Sequence, residues 1–260
     1  MPMVEHVDTQ RTDFSLDRPG QGVSNRQTGN SVYRRDGRML PQVTEREIEP
    51  MPSDKPIQIV KDRANERSAD FIEANIANAL LFGRKSHLLD YVATLIKDEG
   101  LMIECGVFTG GSINHMAGLH PDRTLFGFDS FEGLSENWTG NHHKSGHFDL
   151  GGQLPNVEPN VELVKGWIDD TFQPFLKKNP GDIAYLHVDT DTYQPAKTIL
   201  QLAKPRLRVG SVILFDELFG YPAWEHHEYK ALTETIPEDK YEFVAFSQMQ
   251  AALRITKALK

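Results

Sequence analysis

Two pairs of carboxylates stand where two apolar runs end. Residues 183–188 run into Asp189, Thr190 and Asp191, and residues 211–215 run into Asp216 and Glu217. Both runs have the length and composition of buried strands. In an open α/β sheet the ligand lies outside the carboxyl ends of the strands, so four acids gather where a ligand should bind. Asp189 and Asp191 fall on the same side of an extended chain. Carboxylates this close raise one another's pKa unless a cation neutralises them. An all-oxygen set suits a hard divalent ion, Mg²⁺, Ca²⁺ or Mn²⁺, rather than zinc. The alternative is that some of the four cap helices or face solvent. His187, one pleat step deeper than Asp189, reads as a hydrogen-bonded core histidine.

A second stretch suits a small anionic or nucleoside-like ligand. Leu101, Met102 and Ile103 lead into Glu104, and Gly106, Gly110, Gly111 and Ser112 follow, opening a helical pattern through Ile113, Met116 and Ala117. Strand, glycine turn and helix start bring backbone N–H groups close to a ligand. The dinucleotide signature G-x-G-x-x-G is absent. The next apolar run, 124–128, ends in Asp129, where one carboxylate can accept bonds from two ribose hydroxyls. After the third run, 161–164, come Gly166, Trp167, Asp169 and Asp170. Trp167 offers a stacking face for a purine and an acid offers an acceptor for its amine. In the competing reading Trp167 is core and one of the acids caps a helix.

The elements that would position these residues are legible from periodicity. Ser68 reads as the cap of a helix carrying Phe71, Ile72, Ile76, Ala79 and Leu80, stopped by Gly83. A second helix carries Leu88, Leu89, Val92 and Ile96. Helices are expected around Ala196–Leu202 and over 223–235, and strands 241–246 and 250–255 should form an antiparallel hairpin. Alternating strands and helices imply a parallel sheet with helices on both faces. The long connection 131–160 holds five glycines with Trp138, His142, His143 and His147, and its length and place suggest a cover over the ligand. The histidine spacing matches no zinc pattern.

Residues 1–53 are dense in charged and amide side chains without apolar period. They read as an N-terminal arm, either disordered or laid on a partner subunit, before a domain over 54–260. The chain has 260 residues, 39% hydrophobic, with a formal net charge of −9. That charge argues against nucleic acid and anionic membrane as partners. No apolar run reaches membrane-spanning length. The single cysteine, Cys105, reads as a packed thiol, and a cytoplasmic setting is expected.

Taken in order, five motifs resemble one family. They are the acid-G-x-x-x-G-G-S loop, Asp-Ser-Phe-Glu-Gly-Leu at 129–134, Gly-x-x-x-Asp-Thr at 166–171, Asp-x-Asp-x-Tyr at 189–193 and Phe-Asp-Glu at 215–217. Together they resemble the class I S-adenosylmethionine-dependent methyltransferases, and more narrowly the macrocin-type O-methyltransferases of macrolide sugars. Tyr221-Pro222-Ala223-Trp224 and Glu228-Tyr229-Lys230-Ala231 are similar to motifs of bacterial relatives.

The resemblance implies a Rossmann-like seven-stranded sheet with a reversed C-terminal hairpin. It implies that Gly106 and Gly110 approach the methionine part of S-adenosylmethionine and that Glu104 and Ser112 hold its ends. Asp129 with Ser130 would take the ribose, and Gly166, Trp167 and Asp170 the adenine. Asp189, Asp216 and Glu217 would hold Mg²⁺ or a similar ion. Asp189 is the expected general base, Asp191 its support or an acceptor contact, and His142 or His143 the reserve. The expected partners are a small-molecule acceptor with a sugar or natural-product hydroxyl and a second copy of the chain. A phenol, catechol or nitrogen acceptor, a non-catalytic binding module and a nicotinamide-dependent dehydrogenase are the rival readings. The dehydrogenase lacks its glycine signature here.

Overall fold

The computed structural model describes residues 54–97 and 99–259. The N-terminal arm, 1–53, lies outside the described residues. In chain order the elements are α1 (Lys55–Asn75), β1 (Leu80–Phe82), α2 (Lys85–Leu95), β2 (Leu101–Cys105), α3 (Gly111–Leu119), β3 (Leu125–Asp129) and β4 (Val161–Lys165). Then follow α4 (Ile168–Lys178), β5 (Ile183–Val188), α5 (Tyr193–Ala203), β6 (Leu207–Phe215), α6 (Glu228–Thr235), β7 (Tyr241–Ser247) and β8 (Gln250–Ile255).

The strands form one sheet in the order β1-β7-β8-β6-β5-β2-β3-β4. β6, β5, β2, β3 and β4 run parallel, while β8 is antiparallel to both β6 and β7. The central strands are apolar throughout because helices cover both faces. Alternate residues divide between two cores. Ile103, Cys105, Leu186, Val188, Ile213 and Phe215 face α4, α5 and α6. Met102, Tyr185, Val212 and Leu214 face α2 and α3. None of the described helices is long and apolar enough to cross a membrane.

The sheet has eight strands among the described residues, not seven. The additional strand is β1, which pairs parallel to β7 with Leu80 opposite Ala245. Its apolar residues extend the helical period of α1, which is why they read as helix. In the structure α1 stops at Asn75, whose amide Nδ2 donates to the Phe71 carbonyl at 2.8 Å. One tight turn later the chain is extended at Ala79. The open edge of β7 then supplies the backbone partners that make a short segment a strand.

Ser68 does not cap a helix. It is buried inside α1, where its Oγ donates to the Ala64 carbonyl and accepts the Gly220 N–H at 3.0 Å. It fastens α1 to the segment after β6, and Phe71 completes the anchor against Phe219, Trp224, Tyr229, Phe243 and Phe246. The helix expected over 223–235 is broken. A turn at Trp224–His226 precedes α6, and His227 between them has φ −112° and ψ −121°, outside the helical region.

The connection 131–160 has a built interior. Glu132 bridges Asp149, the Leu134 N–H donates to the His147 carbonyl, and Phe131, Leu134 and Trp138 are buried. It is docked on the segment after β6: Trp138 meets Tyr221 edge to face, and His227 Nε2 donates to the Thr139 carbonyl at 2.9 Å.

Candidate active site

Five neighbouring strands, β6, β5, β2, β3 and β4, end together on one side of the sheet, and the first residues beyond four of them continue the pairing. The Gly106 N–H donates to Phe128, Asp189 N–H to Cys105, Asp216 N–H to Val188, and Gly166 N–H to Asp129. Gly106 is glycine for a reason internal to this packing. Its φ is +91°, and an added Cβ would stand 1.6 Å from the Asp189 carbonyl oxygen. The close approach therefore joins the ends of β2 and β5 before any ligand enters.

Asp129 organises the first end of the site. Oδ2 accepts the N–H groups of both Val107 and Phe108 at 2.8 Å, and Oδ1 accepts that of Phe131 at 2.7 Å. A carboxylate offers about four acceptor positions, so roughly one remains for a ligand hydroxyl rather than the two expected from the sequence. The loop held in this way carries Phe108 at φ +47°, a strained value for a bulky residue. It leads into α3, whose first-turn N–H groups have no intrahelical partners.

The other end gathers acids from three elements. Asp189 and Asp191 follow β5, Asp216 and Glu217 follow β6, and Glu228 opens α6 and is wholly buried. Glu228 Oε1 accepts the Thr190 N–H and Oε2 that of Glu217, tying the two strand-end turns together. Asp191 sits at φ +61° in the left-handed region. Two cations enter this cluster. His187 Nδ1 lies 2.8 Å from Glu104 Oε2 and its Nε2 lies 3.3 Å from Asp216 Oδ1. Lys85, at the start of α2, brings Nζ within 2.5 Å of Asp216 Oδ1 and 3.6 Å of Asp189 Oδ2.

Electrostatics follow from that count of charges. Burial disfavours the His187 imidazolium, but Glu104 and Asp216 outweigh it and push its pKa up to about 10. Burial likewise opposes the Lys85 charge, and Asp189 and Asp216 overcome it to hold its pKa above the ordinary lysine value. Burial would raise Asp216, yet the hydrogen bond and charge of His187 and the charge of Lys85 hold it below the usual carboxylate range. Burial and then Asp216 push Asp189 up to about 7. Asp191, Glu217 and Glu228 are pushed well up by burial first and then by neighbouring carboxylates. Cys105 is buried and its pKa is raised by burial, so it is a packed thiol.

Between the two ends lies a cavity of about 630 Å³. Small-molecule sites span roughly 300–1,000 Å³. Val107, Gly111, Ser112 and Asp129 line one end, Lys85, Asp189, Asp191, Asp216 and Glu217 the other. Leu134, Trp138, His143 and Phe148 of the 131–160 segment form a wall. The donor set fits a hard cation. One oxygen each from Asp189, Asp191 and Glu217 lies within 4.8 Å of the others, and buried Glu217 Oε2 has no hydrogen-bond partner.

The comparisons with known proteins agree with this geometry. Residues 103–218 match a family model described as a methyltransferase domain. An uncharacterized protein of Acanthamoeba polyphaga mimivirus is 30% identical over 164 residues, which is 60% of this chain and 68% of that protein. Residues 103–218 therefore carry a methyltransferase domain. A Streptomyces olivaceus tetracenomycin-C rhamnosyl 4'-O-methyltransferase is 27% identical over 169 residues, covering 55% of this chain and 63% of that enzyme. In fold the chain is similar to CalS11, a calicheamicin methyltransferase, with TM-score 0.54, 23% identity, and coverage of 80% of this chain and 87% of that one. It is also similar to the O-methyltransferase NovP, with TM-score 0.50, 18% identity, and coverage of 65% and 80%.

Within this methyltransferase the residues singled out by sequence divide. Gly106, Ser112, Asp129, Ser130, Gly166, Trp167, Asp189, Asp191, Asp216, Glu217 and His143 line the cavity. Glu104, Gly110, His142 and Asp170 do not. Glu104 is buried behind the cavity, where its Oε1 accepts the Ser112 hydroxyl and its Oε2 meets His187. Gly110 is the left-handed residue before α3, at φ +85°. His142 is exposed beside His143, with the two rings tilted and their centroids 4.0 Å apart. Asp170 faces a separate shallow depression with Phe126 and Phe175, while its neighbour Asp169 lines the main cavity.

The acids also sort differently from the trio Asp189, Asp216 and Glu217. Asp216 groups with Asp189 and His187, and Glu217 groups with Asp189 and Asp191. Lys85 and Glu228 had no role in the sequence reading. A signal for Lys85 existed: Arg84 and Lys85 put two cations at a helix N-terminus, where the macrodipole disfavours them.

Proposed function

We propose that this enzyme transfers a methyl group from S-adenosylmethionine to a hydroxyl of a sugar or related small-molecule natural product, with a hard divalent cation at the acid end. The observation that carries the reading is one cavity joining the Asp129 loop to the Asp189–Asp191–Glu217 group. The names of the Streptomyces and calicheamicin enzymes support a sugar ring hydroxyl as acceptor. Bound S-adenosylmethionine supplies the electrophilic methyl, and Mg²⁺ or a similar ion supplies a Lewis acid for the acceptor oxygen.

The chain's own residues do the rest. The remaining acceptor position of Asp129 takes one ribose hydroxyl, and the first turn of α3, at Gly111 and Ser112, meets the anionic end of the methionine part. Trp167, 38% exposed at the cavity edge, stacks on adenine, with Asp169 rather than Asp170 near its amine. Asp191 and Glu217, with Asp189, are the ligands with oxygens to spare, while Asp216 is engaged by His187 and Lys85. Asp189 accepts the hydroxyl proton, and His143 on the opposite wall is the reserve base. Trp138, Leu134 and Phe148 exclude water from the acceptor side.

The test is transfer of labelled methyl to a panel of glycosides, run in Mg²⁺ and in chelator. Transfer that needs Mg²⁺ supports the reading. Transfer undiminished in excess chelator, after dialysis, removes the metal from it.

A further inference from the structure

Lys85 stands in the cavity wall with its ammonium shared between Asp216, at 2.5 Å, and Asp189, at 3.6 Å. Asp189 belongs to both carboxylate groups, with His187 and Asp216 on one side and with Asp191 and Glu217 on the other. The second group keeps an oxygen, Glu217 Oε2, that is buried and unpartnered. Lys85 is therefore anchored beside the free donors without satisfying them.

We propose that Lys85 is the built-in counter-cation of the acid end and competes with the divalent cation for Asp189, so that this lysine sets how tightly the metal is held. The inference rests on the metal reading given above. When a divalent ion is seated on Asp189, Asp191 and Glu217, an ammonium on the same Asp189 carboxylate repels it. Loading the metal pushes Lys85 toward Asp216, which His187 holds in place from the other side. Removing the lysine charge removes that repulsion. A unit charge and a double charge a few ångströms apart repel enough, even at high dielectric, to change affinity by about tenfold or more. The lysine thus keeps the apo cluster folded and keeps the metal exchangeable.

The experiment is calorimetric titration of the apo enzyme with Mn²⁺ alone, comparing wild type, Lys85→Met, Lys85→Arg and Glu217→Gln. The expected result is about tenfold tighter binding by Lys85→Met, affinity near wild type for Lys85→Arg, and loss of binding in Glu217→Gln. Melting curves in chelator check folding, and Lys85→Gln replaces Lys85→Met if the methionine variant is not folded. Unchanged or weaker Mn²⁺ binding by the neutral variant, with wild type binding and Glu217→Gln not, overturns the role of Lys85 alone. Absence of Mn²⁺ binding by wild type and by the neutral variant overturns the metal reading and this inference with it.

Discussion

The two ends of the cavity solve the problem of buried charge in opposite ways. At the Asp129 end one carboxylate accepts three backbone N–H groups, so its charge is absorbed by the loop it shapes. At the acid end six carboxylates, Glu104, Asp189, Asp191, Asp216, Glu217 and Glu228, stand around two cations, His187 and Lys85, and Glu217 keeps a bare oxygen. The first end is closed almost entirely by the chain's own N–H donors. The second is incomplete, and a cation from solution would finish it. A charge that closes a backbone network stabilises the chain, whereas a charge crowded among its like costs stability unless a cation neutralises it.

The seam between the ends gives the largest expected effect. Gly106→Ala drives a Cβ into the Asp189 carbonyl at a φ hostile to alanine. It should cost more than about 3 kcal/mol in denaturant unfolding and disturb both ends together. A loss under about 1 kcal/mol would mean that β2 and β5 are not joined as closely as described.

Removing a carboxylate from each end should then give opposite signs. Asp129→Ala orphans three N–H groups of a partly exposed loop and should destabilise by about 2–4 kcal/mol, with weaker S-adenosylhomocysteine binding by calorimetry. Asp191→Asn in chelator should stabilise by roughly 1 kcal/mol in thermal melting. It replaces a carboxyl whose ionisation is opposed by burial and then by Asp189 and Asp216, and asparagine is at ease in the left-handed conformation that Asp191 holds. Destabilisation by Asp191→Asn in chelator would break the contrast. The smallest effect is expected at His142, outside the cavity. His142→Ala should leave melting within about 0.5 kcal/mol and cofactor binding unchanged.

Much of this frame was legible because strand ends announce themselves. Residues 183–188 are the observed β5, and the acids that stop the apolar runs stand at the carboxyl edge as topology requires. What was not legible depends on partners distant in sequence. β1 has the pattern of a helix tail and becomes a strand only beside β7. Ser68 has the residue type of a cap, but its hydroxyl was claimed by Gly220 across the fold. The contacts of Asp216 with His187 and Lys85 were not legible either, because no spacing rule brings the start of α2 to the end of β6. Glu104 and Asp170 sit at fitting positions along the chain, yet one is turned to His187 and the other to a different face.

The central claim is that cofactor and cation use separable ends of one cavity. The most direct measurement is a paired titration of wild type and Glu217→Gln, with S-adenosylhomocysteine in chelator and then with Mn²⁺. The expected result is equal S-adenosylhomocysteine affinity in the two proteins and Mn²⁺ binding in wild type alone. Equal Mn²⁺ binding by Glu217→Gln, or no S-adenosylhomocysteine binding by wild type in chelator, would contradict it.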